Sequence, residues 1–253
     1  MTTAIITGAS AGLGRQFALQ LDADDDVDAM WLIARREGRL HELAGQLQTP
    51  AKVLATDLTD RDDCAALYAR LDEERPQVRW LINNAGFGKI GAFDAVDVET
   101  NLAMLDLNMR TLTELTQRAL SHCEKGSRIV QVASLAGFMP VTNFGAYSAT
   151  KAYVVNFSDA LSRELAPRGI SVTSVCPGPV ATEFMEVAST QGSKAAPPAF
   201  VIAAADKVVA KALKDARRGR RHSIYGWLPW LLAKCSGLVP RSIHLWATEK
   251  MYG

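Results

Sequence analysis

Residues 7–14 read Thr7-Gly8-Ala9-Ser10-Ala11-Gly12-Leu13-Gly14, and this stretch decides the fold. It follows a short apolar run over 3–7 that reads as a buried strand, and apolar residues at helical spacing follow it over 15–21. Three glycines alone would indicate only a tight turn. Between a strand and a helix they let the backbone approach a pyrophosphate, which the positive end of the helix also attracts. The stretch therefore predicts a dinucleotide-binding turn.

Strands and helices alternate outward from this turn. Such alternation is typical of a parallel sheet covered by helices on both faces, with ligands bound beyond the carboxyl ends of the strands. We therefore predict an α/β fold, a single doubly wound (Rossmann) domain over 1–253 with about seven parallel strands. The predicted strands are 3–7, 30–34, 53–55, 80–83, 128–133 and 171–176, and the predicted helices are 15–21, 39–47, 60–74 capped by Asp60, 102–122, 146–166 and 206–217.

The bulk composition is that of a globular protein with a substantial core, at 48% hydrophobic and 22% charged residues. A net charge of +1 gives no overall attraction to nucleic acid. The four cysteines are far apart, with neither a CxxC pair nor a metal-ligand spacing, which favours a reduced, cytoplasmic chain without a metal. The first ten residues lack the basic and long apolar segments of a secretory leader, so we expect none, and no run reaches the length of a membrane-spanning helix. We expect the acidic run 22–28 to be a solvated connection.

The residues after the second predicted strand bear on the choice of cofactor. An NAD-binding domain usually carries an acidic residue there for the ribose 2′-hydroxyl, but this chain has Arg35 and Arg36. A guanidinium can hold the 2′-phosphate of NADP in a bidentate contact. We therefore predict NADP(H), although two arginines in this position are also compatible with a solvated loop.

Three polar residues point to proton chemistry. Tyr147 and Lys151 are four residues apart in a predicted helix, so they project from one face. A free tyrosine titrates near 10, and an adjacent ammonium favours its phenolate. Ser134 follows the fifth predicted strand, where its hydroxyl can bond a carbonyl oxygen that gains charge. In isolation each of these features is common in helices or at strand ends.

Together these features resemble the short-chain dehydrogenase/reductase family, in its branch of about 250 residues. The resemblance covers residues 3 to 182. It rests on the TGxxxGxG turn 7–14, on Asn83-Asn84-Ala85-Gly86, on Asn108, Ser134, Tyr147 and Lys151, and on Pro177-Gly178.

The resemblance implies an oxidoreductase that acts on CH–OH groups through a catalytic tetrad. In it Tyr147 is the general acid or base, Lys151 also holds the nicotinamide ribose, Ser134 orients the substrate and Asn108 supports a proton relay. The implied cofactor-binding residues are Gly8, Ser10, Gly12, Leu13, Gly14, Arg35, Arg36, Asp57, Leu58, Asn84, Ala85, Gly86, Tyr147, Lys151, Pro177, Gly178, Val180 and Thr182.

One position departs from the pattern of NADP-preferring members, some of which carry a basic residue just before the second glycine. This chain has Ala11 there, so the preference would rest on Arg35, Arg36 and Arg15. An NADPH-binding regulator without turnover is the alternative, which the complete tetrad disfavours. The longer branch of the family, with epimerases and dehydratases, differs in its glycine turn and in its larger C-terminal domain.

Apolar residues near the tetrad predict a pocket for an apolar carbonyl or alcohol, such as an acyl chain or a steroid-like ring. They are Phe87, Phe138, Met139, Phe144, Phe184 and Met185. The small residues of 181–200 predict a mobile lid over this pocket. The expected partner is a small molecule, and the expected assembly is a homodimer or homotetramer.

The C-terminal segment 226–253 is rich in aromatic residues and follows four arginines between 217 and 221. Three interpretations stay open: burial in the domain or in a subunit interface, closure over the substrate site, or contact with a membrane surface.

Overall fold

The computed structural model describes residues 1–24, 26–189 and 201–252, with the side chains of 251 and 252 excepted. At its centre is a sheet of seven parallel strands in the order β3-β2-β1-β4-β5-β6-β7. The predicted doubly wound parallel sheet is thus confirmed. The strands are β1 (Thr2–Thr7), β2 (Ala29–Ala34), β3 (Ala51–Ala55), β4 (Gln77–Asn83), β5 (Cys123–Val132), β6 (Ser171–Val175) and β7 (His222–Ser223).

Helices cover both faces of the sheet. In chain order the helices of the described residues are α1 (Gly12–Ala23), α2 (Glu37–Ala44), α3 (Arg61–Glu74), α4 (Val98–Leu105), α5 (Leu112–Ala119), α6 (Gly145–Leu165), α7 (Phe184–Ala188), α8 (Ala205–Arg217), α9 (Trp227–Cys235) and α10 (Arg241–Tyr252). Strand side chains alternate between two cores: Ile6 packs with α1, α2 and α8, whereas Ile5 packs with α3, α5 and α6. This alternation fixes the layers of the domain.

The long helix predicted over 102–122 is interrupted. A π-helical turn, Asp106–Thr111, separates α4 from α5, and a 3₁₀ turn, Leu120–His122, leads directly into β5. A π-helical turn adds one residue to the helix, and this addition is too small to be seen in the spacing of the apolar residues. The sequence therefore predicted a continuous helix. The predicted Asp60 cap is confirmed, because its carboxylate accepts hydrogen bonds from the N–H groups of Asp62 and Asp63.

The seventh strand has only two residues, too few for any periodic signal, and it is held by a buried carboxylate. Asp215 of α8 accepts a hydrogen bond from the Ser223 hydroxyl at 2.8 Å and pairs with Lys211 at 2.7 Å and Arg220 at 3.3 Å. These contacts tie α8 to the edge of the sheet.

The acidic run 22–28 is more than the solvated connection that we expected. Asp26 accepts a hydrogen bond from the Trp80 indole at 3.0 Å, and Asp24 pairs with Arg217 at 2.6 Å. Asp22 accepts a 2.7 Å bond from the Thr49 N–H. The run therefore anchors α1 to its neighbours.

The lid predicted over 181–200 falls partly outside the described residues, which stop at 189 and resume at 201. Within the described part of this range lies the short helix α7, and Val180, just before the range, forms a parallel bridge with Ala203, just after it. None of the helices in the described residues is both long enough and apolar enough to cross a bilayer. The four cysteines are free, and the described residues contain no group of side chains suited to a metal.

Candidate active site

The glycine turn after β1 is built for close backbone contact. A Cβ placed on Gly14 would lie 2.2 Å from the carbonyl oxygen of Gly8 and 2.6 Å from Nδ2 of Asn84. Gly8 and Gly12 have φ angles of +66° and +53°, which side-chain-bearing residues rarely adopt. The glycine turn leads directly into the first residues of α1, where the Leu13 side chain packs against the core. It therefore has the form of a phosphate cradle.

The cradle is fixed to the end of β4 by a polar network. The Thr7 hydroxyl accepts hydrogen bonds from the N–H groups of Asn84 and Ala85, both at 3.0 Å. Nδ2 of Asn84 returns bonds to the carbonyl oxygens of Thr7 and Gly8 at 3.0 and 3.2 Å. Sequence reasoning identified Asn84 and Ala85 but gave no separate role to Thr7. Its position at the end of β1, facing the end of a neighbouring parallel strand, was the available signal.

The two arginines after β2 point in different directions. Arg35 is 74% exposed and lies 3.8 Å from the carboxylate of Asp57. Arg36 turns toward the glycine turn, where its Nε and Nη2 donate to the Ser10 hydroxyl at 3.3 and 3.2 Å. Its Nη1 pairs with Glu183 at 2.7 Å. Arg36 is thus the arginine that borders the cradle, while Arg15 is directed elsewhere, to the side chain of Gln46.

Asp57 and Leu58 follow β3. Burial raises the pKa of the Asp57 carboxyl, but hydrogen bonds from Thr59 and the charge of Arg35 outweigh it, so the net pKa is lowered. Asp57 is therefore ionised at neutral pH. Leu58 packs its side chain into the core, and its carbonyl accepts a bond from the Thr111 hydroxyl, so its side chain is not available to a ligand.

The segment after β6 closes over the glycine turn. A Cβ on Gly12 would lie 3.1 Å from Cγ2 of Thr182, so the two segments nearly touch. The carbonyl of Pro177 accepts a bond from the Leu135 N–H at 2.9 Å, and Gly178 lies beside Pro229 of α9. Residues 177–182 therefore join the phosphate cradle to the region around Ser134.

Tyr147 and Lys151 lie together in the first turns of α6, both almost completely buried. The Lys151 ammonium is 5.6 Å from the centre of the Tyr147 ring and donates a 2.8 Å hydrogen bond to the Val132 carbonyl. Burial lowers the pKa of Lys151 to about 8, while the nearby Cys176 thiol acts slightly in the opposite direction. The side chain therefore stays mostly protonated at pH 7 beside the phenol.

Asn108 lies at the centre of the π-helical turn and is completely buried. Its amide donates to the Phe87 carbonyl at 2.9 Å and to the Thr150 hydroxyl at 3.1 Å, and its oxygen accepts from the Phe87 N–H at 3.1 Å. A Cβ on Gly86 would lie 2.8 Å from that oxygen. The side chain therefore fixes the segment 83–87, which follows β4, to α6. Thr150 was not singled out in the sequence, where it is one threonine among many.

Ser134 begins the 3₁₀ turn Leu135–Phe138, and its hydroxyl oxygen accepts a 3.2 Å bond from the Ala136 N–H. It therefore caps a turn, as its position at a strand end also suggested, and this cap fixes the hydroxyl at the carboxyl end of β5. An oxygen that accepts a bond still has its own proton to donate to a ligand.

Five of the six predicted pocket residues pack in one cluster with Tyr147. Phe144 stacks on the Tyr147 ring at 4.2 Å between centroids, and Phe184 of α7 approaches it at 5.5 Å. Phe87, Met139 and Met185 complete the set. Phe138 does not belong to it, because it packs in a separate cluster and contacts His222 edge-on at 5.7 Å. Phe138 and Met139 are adjacent in the chain, and the side chain of Phe138 points away from the cluster around Tyr147.

The C-terminal helices lie next to this site. The hydroxyl of Thr248 in α10 accepts a bond from the Thr142 N–H at 3.2 Å, and Thr142 is five residues before Tyr147. The side chain of Pro229 in α9 borders Gly178. The segment as a whole is not buried within the domain, since Trp227, Trp230 and Trp246 are each more than half exposed, and the interpretations of a subunit interface, of closure over the site and of membrane contact stay open.

A doubly wound sheet with a glycine cradle, and with a tyrosine and an ammonium buried beyond its strand ends, defines a dinucleotide-dependent oxidoreductase. The family model described as short chain dehydrogenase matches residues 2–192. The chain belongs to the short-chain dehydrogenase/reductase family, whose members interconvert carbonyls and alcohols with a nicotinamide dinucleotide.

Among curated relatives, a sulfoacetaldehyde reductase of Chromohalobacter salexigens is 36% identical over 202 residues, 76% of this chain and 77% of that protein. Two solved structures also align closely. A short-chain dehydrogenase from Sphingobium yanoikuyae in complex with NADPH is 29% identical, with a TM-score of 0.79 over 94% of this chain and 95% of that one. A bulky-bulky ketone specific alcohol dehydrogenase from Comamonas testosteroni is 28% identical, with a TM-score of 0.75 over 94% and 93%.

Proposed function

We propose that this protein is an NADP(H)-dependent oxidoreductase that interconverts a carbonyl and a secondary alcohol on an apolar substrate. The observation that carries the proposal is the buried pairing of Tyr147 with the Lys151 ammonium at the edge of an apolar cluster. Both residues are almost completely buried, so the charge of Lys151 acts on the phenol with little screening.

The residues at the strand ends fit a dinucleotide. Side chains on Gly8, Gly12 and Gly86 would collide with Asn84, Thr182 and Asn108, so only glycine lets these backbone segments pack this closely at the strand ends. Gly8, Ser10, Gly12, Leu13 and Gly14 would hold the pyrophosphate, Asp57 with the segment 84–86 the adenosine, and the segment 177–182 the nicotinamide side. When bound, the nicotinamide supplies or accepts the hydride.

Tyr147 acts as the general acid and base. In reduction its hydroxyl donates the proton to the carbonyl oxygen, and in oxidation the phenolate accepts it from the alcohol. The Lys151 ammonium stabilises the phenolate, and the Ser134 hydroxyl donates a hydrogen bond that orients the substrate oxygen. Asn108 positions Phe87 and Thr150. A proton relay at Asn108 would use its backbone carbonyl, because its side-chain amide is already engaged.

The preference for NADP(H) rests on Arg36, whose guanidinium lies against Ser10 at the border of the cradle. Arg35 is exposed and can swing in from the solvent side. No acidic residue occupies the place after β2 where an NAD-binding domain usually has one.

The substrate proposal rests on the apolar cluster around Tyr147, to which five of the predicted pocket residues contribute. Phe87, Met139, Phe144, Phe184 and Met185 offer contact area and no charge, which suits a bulky ketone or an acyl chain. The relative from Chromohalobacter salexigens is named for sulfoacetaldehyde, a small anion. The proposal of an apolar substrate is therefore supported by the apolar cluster and not by this relative. We further propose a cytoplasmic homodimer or homotetramer.

Steady-state kinetics on a panel of ketones and secondary alcohols would test the proposal. We expect turnover of apolar substrates, and a kcat/KM for NADPH at least about tenfold above that for NADH, as one charge-assisted contact to the 2′-phosphate predicts. A ratio near one or reversed would refute the cofactor assignment. Tight NADPH binding without turnover on the whole panel would favour a regulatory protein instead.

A further inference from the structure

The C-terminal part of the chain carries a segregated positive charge. Residues 216–248 contain no Asp or Glu and six cations, namely Arg217, Arg218, Arg220, Arg221, Lys234 and Arg241. Since the whole chain has 28 cations and 27 anions, the remainder has 22 and 27 and a net charge of −5. Among the described residues, Arg218, Arg221, Lys234 and Arg241 form no ion pair. Their charge is available to an outside partner.

The two helices of this region expose apolar side chains in helical register. In α9, Trp227, Trp230 and Leu231 are 77%, 51% and 43% exposed, and Lys234 completes the same stripe at spacings of three, four and seven. In α10, Ile243 and Trp246 are 52% and 58% exposed.

The stripe of α10 also ends in a lysine, because the Lys250 ammonium lies 4.3 Å from the centre of the Trp246 ring. Thr248, on the opposite side of the helix, is buried against Thr142. Each helix therefore attaches to the domain by one side and presents tryptophan and lysine on another.

We propose that α9 and α10 form a contact with an anionic lipid surface. Indole rings prefer the boundary between headgroups and acyl chains, and cations beside them are attracted to negatively charged headgroups. A second copy of the chain fits less well, because a symmetric contact would bring together two segments that each carry four cations without an ion pair among the described residues. Since both helices adjoin the candidate active site, the contact would place that site at the lipid surface.

Co-sedimentation of the full chain with vesicles would test this proposal without any assay of activity. We expect binding to phosphatidylcholine vesicles that contain phosphatidylglycerol, little binding to phosphatidylcholine alone, and loss of binding at high salt. The double variant Trp227→Ser with Trp230→Ser should bind roughly tenfold more weakly. The matched control is Phe93→Ser, which removes an aromatic ring that is 78% exposed outside the basic segment and should leave binding unchanged.

Two outcomes would overturn the lipid contact. One is absence of vesicle binding at low salt. The other is a tryptophan double variant that binds vesicles like the wild type but converts an oligomer to monomers in size-exclusion chromatography, since α9 would then face a second copy.

A second, independent inference concerns Glu183, which directly follows Thr182. Its two carboxylate oxygens pair with Arg36 at 2.7 Å and with Arg39 at 2.5 Å. The hydrogen bonds from these two arginines lower the pKa of Glu183, so it is charged at neutral pH. The carboxylate therefore neutralises the guanidinium that borders the cofactor cradle.

We infer that Glu183 sets the affinity for the 2′-phosphate, because that phosphate must compete with it for Arg36. This inference rests on the proposed NADP(H) function. It predicts that the ion pair weakens NADPH binding and leaves NADH binding unaffected, since NADH has no 2′-phosphate.

Fluorescence titration of NADPH and NADH, without substrate, would test the role of Glu183. We expect Glu183→Gln to tighten NADPH binding at least about threefold and to change NADH binding less than about twofold. Glu186→Gln is the matched control, an exposed carboxylate one turn away with no ion pair among the described residues. An unchanged or lower NADPH-to-NADH affinity ratio in Glu183→Gln would overturn the inference. A wild type that prefers NADH would instead refute the proposed cofactor, whichever way the variant behaves.

Discussion

Lys151, for which we propose a catalytic role, should make the protein less stable at neutral pH. Its ammonium is buried, its pKa falls from 10.5 to about 8, and its one hydrogen bond in the described structure is to the Val132 carbonyl. A pKa difference of that size corresponds to about 3 kcal/mol of unfolding free energy. The substitution Lys151→Met removes the charge, keeps most of the volume, and leaves the Val132 carbonyl without this donor.

The sign follows from proton binding. Below pH 8 the lysine is protonated in both the folded and the unfolded chain, so the full cost of burial is present. Between pH 8 and 10.5 the folded protein loses this proton while the unfolded chain keeps it, so the cost is relieved as pH rises. Methionine does not titrate. The unfolding free energy of Lys151→Met minus that of the wild type should therefore fall by about 2 kcal/mol between pH 7 and pH 9.5.

Urea unfolding of both proteins at a series of pH values would measure this difference. The lost bond to the Val132 carbonyl adds an offset of about 1–2 kcal/mol that is the same at every pH, so the slope and not the absolute difference is the test. Lys207→Met, at an exposed position, is the control and should give a flat difference. If the difference in unfolding free energy between Lys151→Met and the wild type does not change with pH, the pKa of the buried amine is not lowered. The kcat of Lys151→Met should fall by orders of magnitude although the variant stays folded.

Three further outcomes are expected. Tyr147→Phe keeps the stacking on Phe144 but removes the hydroxyl, so kcat should drop below about a tenth of the wild-type value while the melting temperature changes little, and a variant that retains more activity would rule out the general-acid role. Gly14→Ala should lose cofactor binding in fluorescence titration, because its Cβ would lie 2.2 Å from the Gly8 carbonyl oxygen, whereas Gly38→Ala in α2, where nothing lies within 4 Å, should bind normally and gain up to about 1 kcal/mol of stability. Asp60→Ala removes the cap of α3 and should cost about 1 kcal/mol in urea unfolding, with catalysis intact, since Asp60 caps a helix and is not part of the candidate active site.

The sequence predicted the order of the strands and helices, because each buries one face and so repeats its apolar residues with a period of two or 3.6. It also identified the glycine turn and the pairing of Tyr147 with Lys151, because both depend on residues close together in the chain. Short or irregular elements carry no such repeat. The π-helical turn around Asn108 and the two-residue strand β7 were therefore not predicted.

Only the tertiary structure decided the contacts between segments that are distant in the chain. Thr7 meets Asn84, Asn108 meets Thr150, and Glu183 meets Arg36 across 147 positions of the chain. The exposure of the C-terminal tryptophans belongs to the same group, since a run of aromatic residues has the same pattern whether it is buried or faces outward. Local spacing determines which residues share a helix face or a turn, whereas the packing of the whole chain determines which charge each of them meets.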